Sequence, residues 1–100
     1  MSQTPSVALC VRLSVKPEHA DAFAVGLAQA APSTHAAPGN LGFSAGRSRE
    51  QPAVFVLYER WASQAELDAW HGSPMMRERM ASYPELLAGP PEVTMLEDLA

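Results

Sequence analysis

Apolar and polar side chains alternate at the start of the chain. Over residues 7–15 every second position is valine or leucine, and the positions between hold alanine, cysteine, arginine and serine. This period of two is typical of a β-strand with one buried face. The stretch Val54–Trp61 differs, because only Glu59 and Arg60 are polar in it. It predicts a strand that is covered on both faces.

Other stretches have the three-and-four spacing of an amphipathic helix. One opens at Pro17 and is predicted to end before Pro32. A second begins at Ser63, because Ser63-Gln64-Ala65-Glu66 has the form of a capping box, in which the serine and glutamate side chains satisfy backbone N–H groups at the helix start. The turn at His71-Gly72 should end this helix.

A third helix follows at once, since Ser73-Pro74 offers a cap and a proline at the first helical position. Pro84 is expected to kink or interrupt this helix, because proline cannot donate to the preceding turn. Gly89 is expected to close it. Its apolar stripe consists of Met76, Met80, Tyr83 and Leu87.

The remaining segments complete a recognisable order. Pro38-Gly39-Asn40 has turn chemistry, residues 41–47 predict a second strand with a bulge near Gly46, and residues 93–96 predict the last strand. The order strand, helix, strand, strand, helices, strand predicts an α+β ferredoxin-like fold, an antiparallel sheet with helices on one face. The other face would expose Val54, Val56 and Tyr58, so we expect a two-fold homodimer to cover it.

Composition narrows the class of protein. One hundred residues predict a single domain, 1–100, with a core at about 7–96, and a net charge of −4 disfavours nucleic acid and anionic membranes as partners. No apolar run is long enough to span a membrane, and the start of the chain lacks the features of a signal peptide, so the cytoplasm is the expected location. Cys10 stands alone and the three histidines lack ligand spacing, so we expect neither a disulfide nor a metal site.

Several segments together resemble the antibiotic biosynthesis monooxygenase family, from about residue 7 to residue 96. They are VKPEHADAF, APGNLGF, LYERW, SQAELDAW and LLAGPPEV. The resemblance implies a ferredoxin-like unit whose sheets pair across a dimer into an α+β barrel. It also implies an oxygenase of quinol-like or polycyclic phenols that needs no metal or flavin, so no cofactor is expected.

The chain departs from the family pattern at informative positions. Ala37 stands where a glutamate is common, and Trp70 stands where a histidine is common, with His71 one place later. In the haem-degrading branch an asparagine and a histidine occupy the positions of Val11 and Met80, which argues against haem degradation here. Leu57 and Met80 replace polar substrate contacts of the polyketide-tailoring oxygenases, which predicts a more apolar pocket.

The candidate site residues follow from chemistry and position. Trp61, Trp70, Met76, Met80 and Tyr83 are predicted to line a flat pocket for a small aromatic molecule, although core packing explains the tryptophans as well. His71 is a candidate general base, or else a solvated turn residue. Glu59 is the second candidate, as a proton acceptor or as a structural carboxylate paired with Arg60 or Arg12.

Two hypotheses about function remain. The first is a cofactor-independent monooxygenase of quinol-like or polycyclic phenolic aromatics. The second is a non-catalytic dimeric protein that binds a small ligand or is associated with stress.

Overall fold

The fold is an α+β sandwich of one antiparallel sheet and three α-helices, as seen in a computed structural model that describes residues 5–99. The elements are β1 (Val7–Ser14), a 3₁₀ turn (Pro17–His19), α1 (Ala20–Ala36), β2 (Asn40–Arg47), β3 (Val54–Trp61), α2 (Gln64–His71), α3 (Pro74–Leu86) and β4 (Glu92–Glu97). The strands pair in the order β2-β3-β1-β4, in agreement with the ferredoxin-like fold that the sequence predicts.

The core lies between the central strands and the helices. One cluster forms around Leu13, Phe55 and Leu87, and a second joins Leu9, Trp61 and Leu67. Both clusters use alternate residues of β1 and β3, because successive side chains of a strand point to opposite faces. The helix-side face of the sheet is therefore the apolar one.

The opposite face of the sheet is partly open to solvent in the single chain. Val56 and Tyr58 on β3 are 38% and 41% exposed, whereas Val54, which was expected on the same exposed face, is buried at the start of the strand. The prediction that both faces of this strand are covered therefore holds only for the helix side within one chain. Cover for the outer face would have to come from another molecule.

Both predicted helix ends, before Pro32 and at Gly89, differ from the structure. Helix α1 passes through Pro32 and ends at Ala36, and α3 continues through Pro84 without interruption and ends at Leu86. Each proline removes one backbone N–H, but residues beyond it keep the helix attached to the core: Thr34 is buried and Leu87 packs in the first cluster. Tertiary packing thus outweighs the local cost of the proline.

The irregularity of β2 also lies elsewhere than predicted. The pairing of β2 with β3 shifts between Asn40 and Gly42, at the start of the strand, whereas Gly46 pairs regularly with Val56. The bulge directly follows the turn at Gly39, whose φ of 82° is one that glycine adopts without strain. The extra residue therefore belongs to the entry of the strand.

Among the helices of residues 5–99, none is long and apolar enough to cross a membrane.

Candidate functional site

A cavity of about 310 Å³ lies between the helix-side face of the sheet and helices α1 and α3. This volume is at the small end of the ~300–1,000 Å³ range of ligand pockets. It is about twice the ~150 Å³ of an apolar protein cavity that admits benzene. Its walls are mostly apolar, with His19, Thr34, Glu59, Arg79, Ser82 and Tyr83 as the polar or titratable side chains.

Glu59 brings a carboxylate into the wall of this cavity. It lies on β3 opposite Leu9 of β1 and Phe43 of β2, and it is only 6% exposed. The indole Nε1–H of Trp61 donates to Glu59 Oε1 over 2.9 Å. Because a buried charge needs hydrogen bonds to be tolerated, this contact is central to the site.

The pairing of Glu59 with Arg60 or Arg12, considered from the sequence, is wrong. Arg60 forms an ion pair with Asp98 over 3.1 Å, and Arg12 approaches Glu92 to 3.7 Å. Both arginines lie on the outer face, because they occupy the alternate positions of their strands. Glu59 has no basic partner within salt-bridge distance in the described part of the chain.

Helix α2 places Trp70 at the cavity. Ser63 caps the helix, its hydroxyl accepting from Glu66 N–H over 3.2 Å, as predicted. The second bond of the capping box, from Ser63 N–H to the Glu66 carboxylate, is not found within residues 5–99, because that carboxylate lies against Gly39. The ring of Trp70 lies 5.9 Å from that of Trp61 at a tilt of 31°. The two rings are neighbours in a tilted arrangement. Trp70 lines the cavity, and Trp61 is fully buried behind it.

The N-terminal end of α2 also rests on the turn before β2. A side chain at Gly39 would overlap the carboxylate of Glu66. The turn therefore needs glycine for two reasons, its φ and the space that Glu66 fills. This contact joins the first turn of α2 to the turn before β2.

Helix α3 supplies one wall of the cavity from positions three and four residues apart. Met76, Arg79 and Tyr83 lie on the same side of this helix. Arg79 Nη1 donates to Met76 Sδ over 3.4 Å, and sulfur is a weak acceptor. Burial raises the pKa of the Tyr83 hydroxyl; the positive charge of Arg79 opposes this and the negative charge of Glu59 adds to it.

Four of the seven predicted site residues come together around the cavity: Glu59, Trp70, Met76 and Tyr83. Trp61 lies behind the wall. Met80 instead lines a neighbouring open groove, and Tyr83 borders both spaces; the other residues of the groove are Pro84, Leu87, Gly89, Pro90 and Pro91. His71, the last residue of α2, is half-buried and is not among the residues that line the cavity.

The α1 side of the site was not anticipated from the sequence. This wall includes Phe23, Leu27 and Thr34, with His19 just before the helix. Their spacing of four and seven residues marks one helical face, a pattern that predicts a helix but not what this face contacts. Since the same pattern describes a packed core and a cavity wall, only the space left between helix and sheet separates the two.

Across residues 5–99, no group of three or more His, Cys, Asp and Glu side chains is arranged to hold a metal ion.

Comparison with known proteins places these features in a family. A family profile described as antibiotic biosynthesis monooxygenase matches residues 6–82. A search of functionally curated proteins found no match. Many solved structures are similar to the chain.

Two of these structures share 30% sequence identity with the chain. One is a protein of unknown function, NE2512, from Nitrosomonas europaea, with a TM-score of 0.84 over 99% of this chain and 94% of its own. The other is Rv0793 from Mycobacterium tuberculosis, with a TM-score of 0.85 over 95% of this chain and 96% of its own. PA3566 from Pseudomonas aeruginosa is 20% identical, with a TM-score of 0.88 over the full length of both chains, and supports the fold alone.

Proposed function

The chain belongs to the antibiotic biosynthesis monooxygenase family. We propose that it oxygenates small quinol-like or polycyclic phenolic aromatics without a cofactor. The observation that carries the proposal is the cavity of about 310 Å³ with a single buried carboxylate in its wall. A mostly apolar site with a few convergent polar groups suits a flat aromatic ligand that carries hydroxyl groups.

The volume favours a compact ligand. Benzene occupies an apolar cavity of ~150 Å³, so a cavity of about 310 Å³ accommodates two or three fused rings. Phe23 and Trp70 supply aromatic surface, and Met76 adapts its shape to a ring edge. These side chains explain affinity for a ring system, and the polar groups explain its orientation.

Glu59 is the residue we assign as proton acceptor. It faces the cavity, is 6% exposed and has no arginine or lysine partner among the described residues that would hold its negative charge. A phenolic hydroxyl placed against it would donate a hydrogen bond and then a proton. His71, the other candidate base, does not line the cavity, so the proposal gives it no role.

The chemistry needs only the substrate and dioxygen. Loss of the phenolic proton gives an electron-rich phenolate, which passes one electron to dioxygen, and the two radicals combine at a ring carbon to form a peroxide. Loss of water from the peroxide leaves a new carbonyl group. A hydroquinone and one dioxygen thus give a hydroxyquinone and one water, and the substrate supplies all four electrons.

The protein's part is to bind the substrate away from water, accept the proton and stabilise the anion. Arg79 is placed to do the last of these, because it lines the cavity and Met76 sulfur is the acceptor found for it within residues 5–99. A guanidinium without a carboxylate partner is available to a phenolate or peroxide oxygen.

We also propose that the chain acts as a two-fold homodimer joined through the outer face of the sheet. Val56 and Tyr58 give that face an exposed apolar centre. Arg12 and Arg60 on the same face are already paired with Glu92 and Asp98. A patch whose charges are internally paired can be placed against an identical copy without like-charge repulsion, as a two-fold interface requires.

Oxygen consumption tests the oxygenase proposal. Uptake is measured with a panel of hydroquinones and anthrones, for the wild-type protein and for Glu59→Gln, with Glu78→Gln on the exposed surface of α3 as the matched control. We expect uptake above the protein-free rate, its loss in Glu59→Gln, and its retention in Glu78→Gln and His71→Ala.

Uptake at the protein-free rate would remove the oxygenase. If the same compounds still bound, the non-catalytic ligand-binding protein would take its place. The mass of the particle in solution, measured by light scattering, tests the dimer separately, and a monomer across the accessible concentrations would remove it.

A further inference from the structure

We propose that Trp61 is a positioning residue: its indole N–H holds the Glu59 carboxylate in the cavity wall, and the site therefore selects ligands that bring a hydrogen-bond donor. This inference rests on the proposed function, because it concerns the same cavity. It gives Trp61 a role that does not require contact with the ligand.

The strand itself sets up the contact. Trp61 and Glu59 are two residues apart on β3, so both side chains point to the helix-side face, roughly 7 Å apart along the strand. The indole spans this gap and donates to Glu59 Oε1 over 2.9 Å. No other element of the fold is needed to bring the two groups together.

Packing fixes the indole. Trp61 is 0% exposed and is clustered with Leu9 and Leu67. A fully buried ring of this size has little freedom to turn, so the direction of its N–H is set by the core. The hydrogen bond from that N–H in turn holds the Glu59 carboxylate in one position.

The hydrogen bond leaves one carboxylate oxygen for the ligand. An ionised carboxylate accepts at about four positions, and Trp61 is the one donor found for it within residues 5–99. Glu59 lines the cavity, so the remaining capacity is directed at whatever occupies that space. A ligand hydroxyl donates a hydrogen bond to the free carboxylate oxygen. A methyl ether in the same place has no donor and puts a second acceptor beside a negative charge.

Trp70 provides the internal control. Its ring lies 5.9 Å from that of Trp61 and lines the cavity, yet its indole N–H is not among the donors to Glu59. Replacing Trp70 therefore removes aromatic surface without changing the carboxylate. Replacing Trp61 removes the hydrogen bond and keeps the cavity wall in front of it.

The experiment has one arm that needs no ligand. The two indole N–H resonances are recorded in ¹⁵N-labelled protein and assigned with Trp61→Phe and Trp70→Phe. We expect Glu59→Leu to shift the Trp61 resonance and to speed its exchange with water, and to affect Trp70 much less. A Trp61 resonance that does not respond would overturn the positioning role, whatever the protein binds.

The second arm measures selectivity by calorimetry, with 2-naphthol and its methyl ether as probes that are not readily oxidised. A hydrogen bond to a charged group corresponds to a preference of about 10- to 100-fold for the hydroxyl compound. We expect this preference in the wild type and in Trp70→Phe, and a ratio near one in Trp61→Phe. Trp61→His, which retains an N–H donor, should restore part of it.

The outcomes separate the two proposals. A Trp61→Phe variant that keeps the wild-type ratio would overturn the selectivity we propose, while ligand binding as such would stand. A wild type that binds neither probe would count against the proposed function, and it would also overturn the selectivity; the response of the Trp61 resonance would then support only the fixed carboxylate. Should Trp61→Phe not fold, Glu59→Gln is expected to remove the same preference.

Discussion

Strand β3 carries one charged side chain on each face near its end, and the two differ in their partners. On the outer face, Arg60 is paired with Asp98, whose side chain is only 4% exposed. On the dry helix-side face, Glu59 is left with an indole N–H as its partner among the described residues. A buried charge with a counter-ion costs less than one without, so of these two carboxylates Glu59 is the one that the fold supports less well. This difference is the reason we propose a role in the site for Glu59 and a structural role for Asp98.

The largest expected effect is on activity, and it comes from the inner face. Glu59→Gln should lower the rate of oxygen uptake by about 10²- to 10⁴-fold, the contribution of a general base. Its urea midpoint should stay level or rise, because an amide is cheaper to bury than a carboxylate without a counter-ion. Steady-state oxygen electrode traces and urea melts check the two halves, and a large loss of stability would mean that Glu59 is structural.

The next largest effect is on stability, and it should differ between the inner and outer faces of β3. Phe55→Ala on the inner face should cost about 3–5 kcal/mol in the free energy of unfolding, as for other buried aromatics, and the cost should not depend on protein concentration. Val56→Ala on the outer face should cost less, and its cost should grow with concentration if the outer face is a dimer interface. Urea unfolding at several concentrations distinguishes the two.

A smaller effect is expected for the outer face itself. Tyr58→Lys should weaken self-association by about 2 kcal/mol, the threshold of an interface hot spot. The fold should survive, since Tyr58 is 41% exposed in the single chain. Sedimentation velocity measures the association, and Gln29→Lys, at an exposed position of α1, serves as the charge-matched control. Equal association of both variants would place the interface elsewhere.

The smallest effect concerns alkaline pH. Burial holds the pKa of Tyr83 above its ordinary value of 10.0, so the unfolded chain loses that proton first. Stability from this group is full below about pH 10 and falls as the pH rises through the raised pKa. Tyr83→Phe should therefore flatten the decline in urea midpoint between pH 9 and 11. Tyr58→Phe on the outer face should leave the decline in place.

Sequence patterns predict the fold well because they record local physics. The alternation over residues 7–15 gives β1, and Ser63 followed by Glu66 gives the start of α2. The ends of α1 and α3 are less predictable, since continuation past Pro32 and Pro84 depends on contacts made by residues beyond each proline. Local propensity carries no record of those contacts.

The candidate site is only partly accessible to sequence reasoning. Side chains alternate along β3, so the sequence itself places Glu59 and Arg60 on opposite faces and argues against their pairing. The different positions of Trp61 and Trp70 are not predictable in this way, because both are large aromatics flanking one helix. Only the packed structure decides which of them meets the cavity. His71 lies outside the cavity because it is turned by about 100° from Trp70 on α2, whereas Met80, on the same side of α3 as Met76 and Tyr83, lines the neighbouring groove.

In saturation mutagenesis of this protein, Gly39 is expected to tolerate few substitutions although it does not line the cavity. Every other amino acid at this position meets an unfavourable backbone angle and the carboxylate of Glu66, which fills the space that a β-carbon would occupy. A screen that scores only lost function would rank Gly39 beside Glu59. Dose–response curves on surviving protein would separate a position that shapes the scaffold from one that touches the reacting molecule.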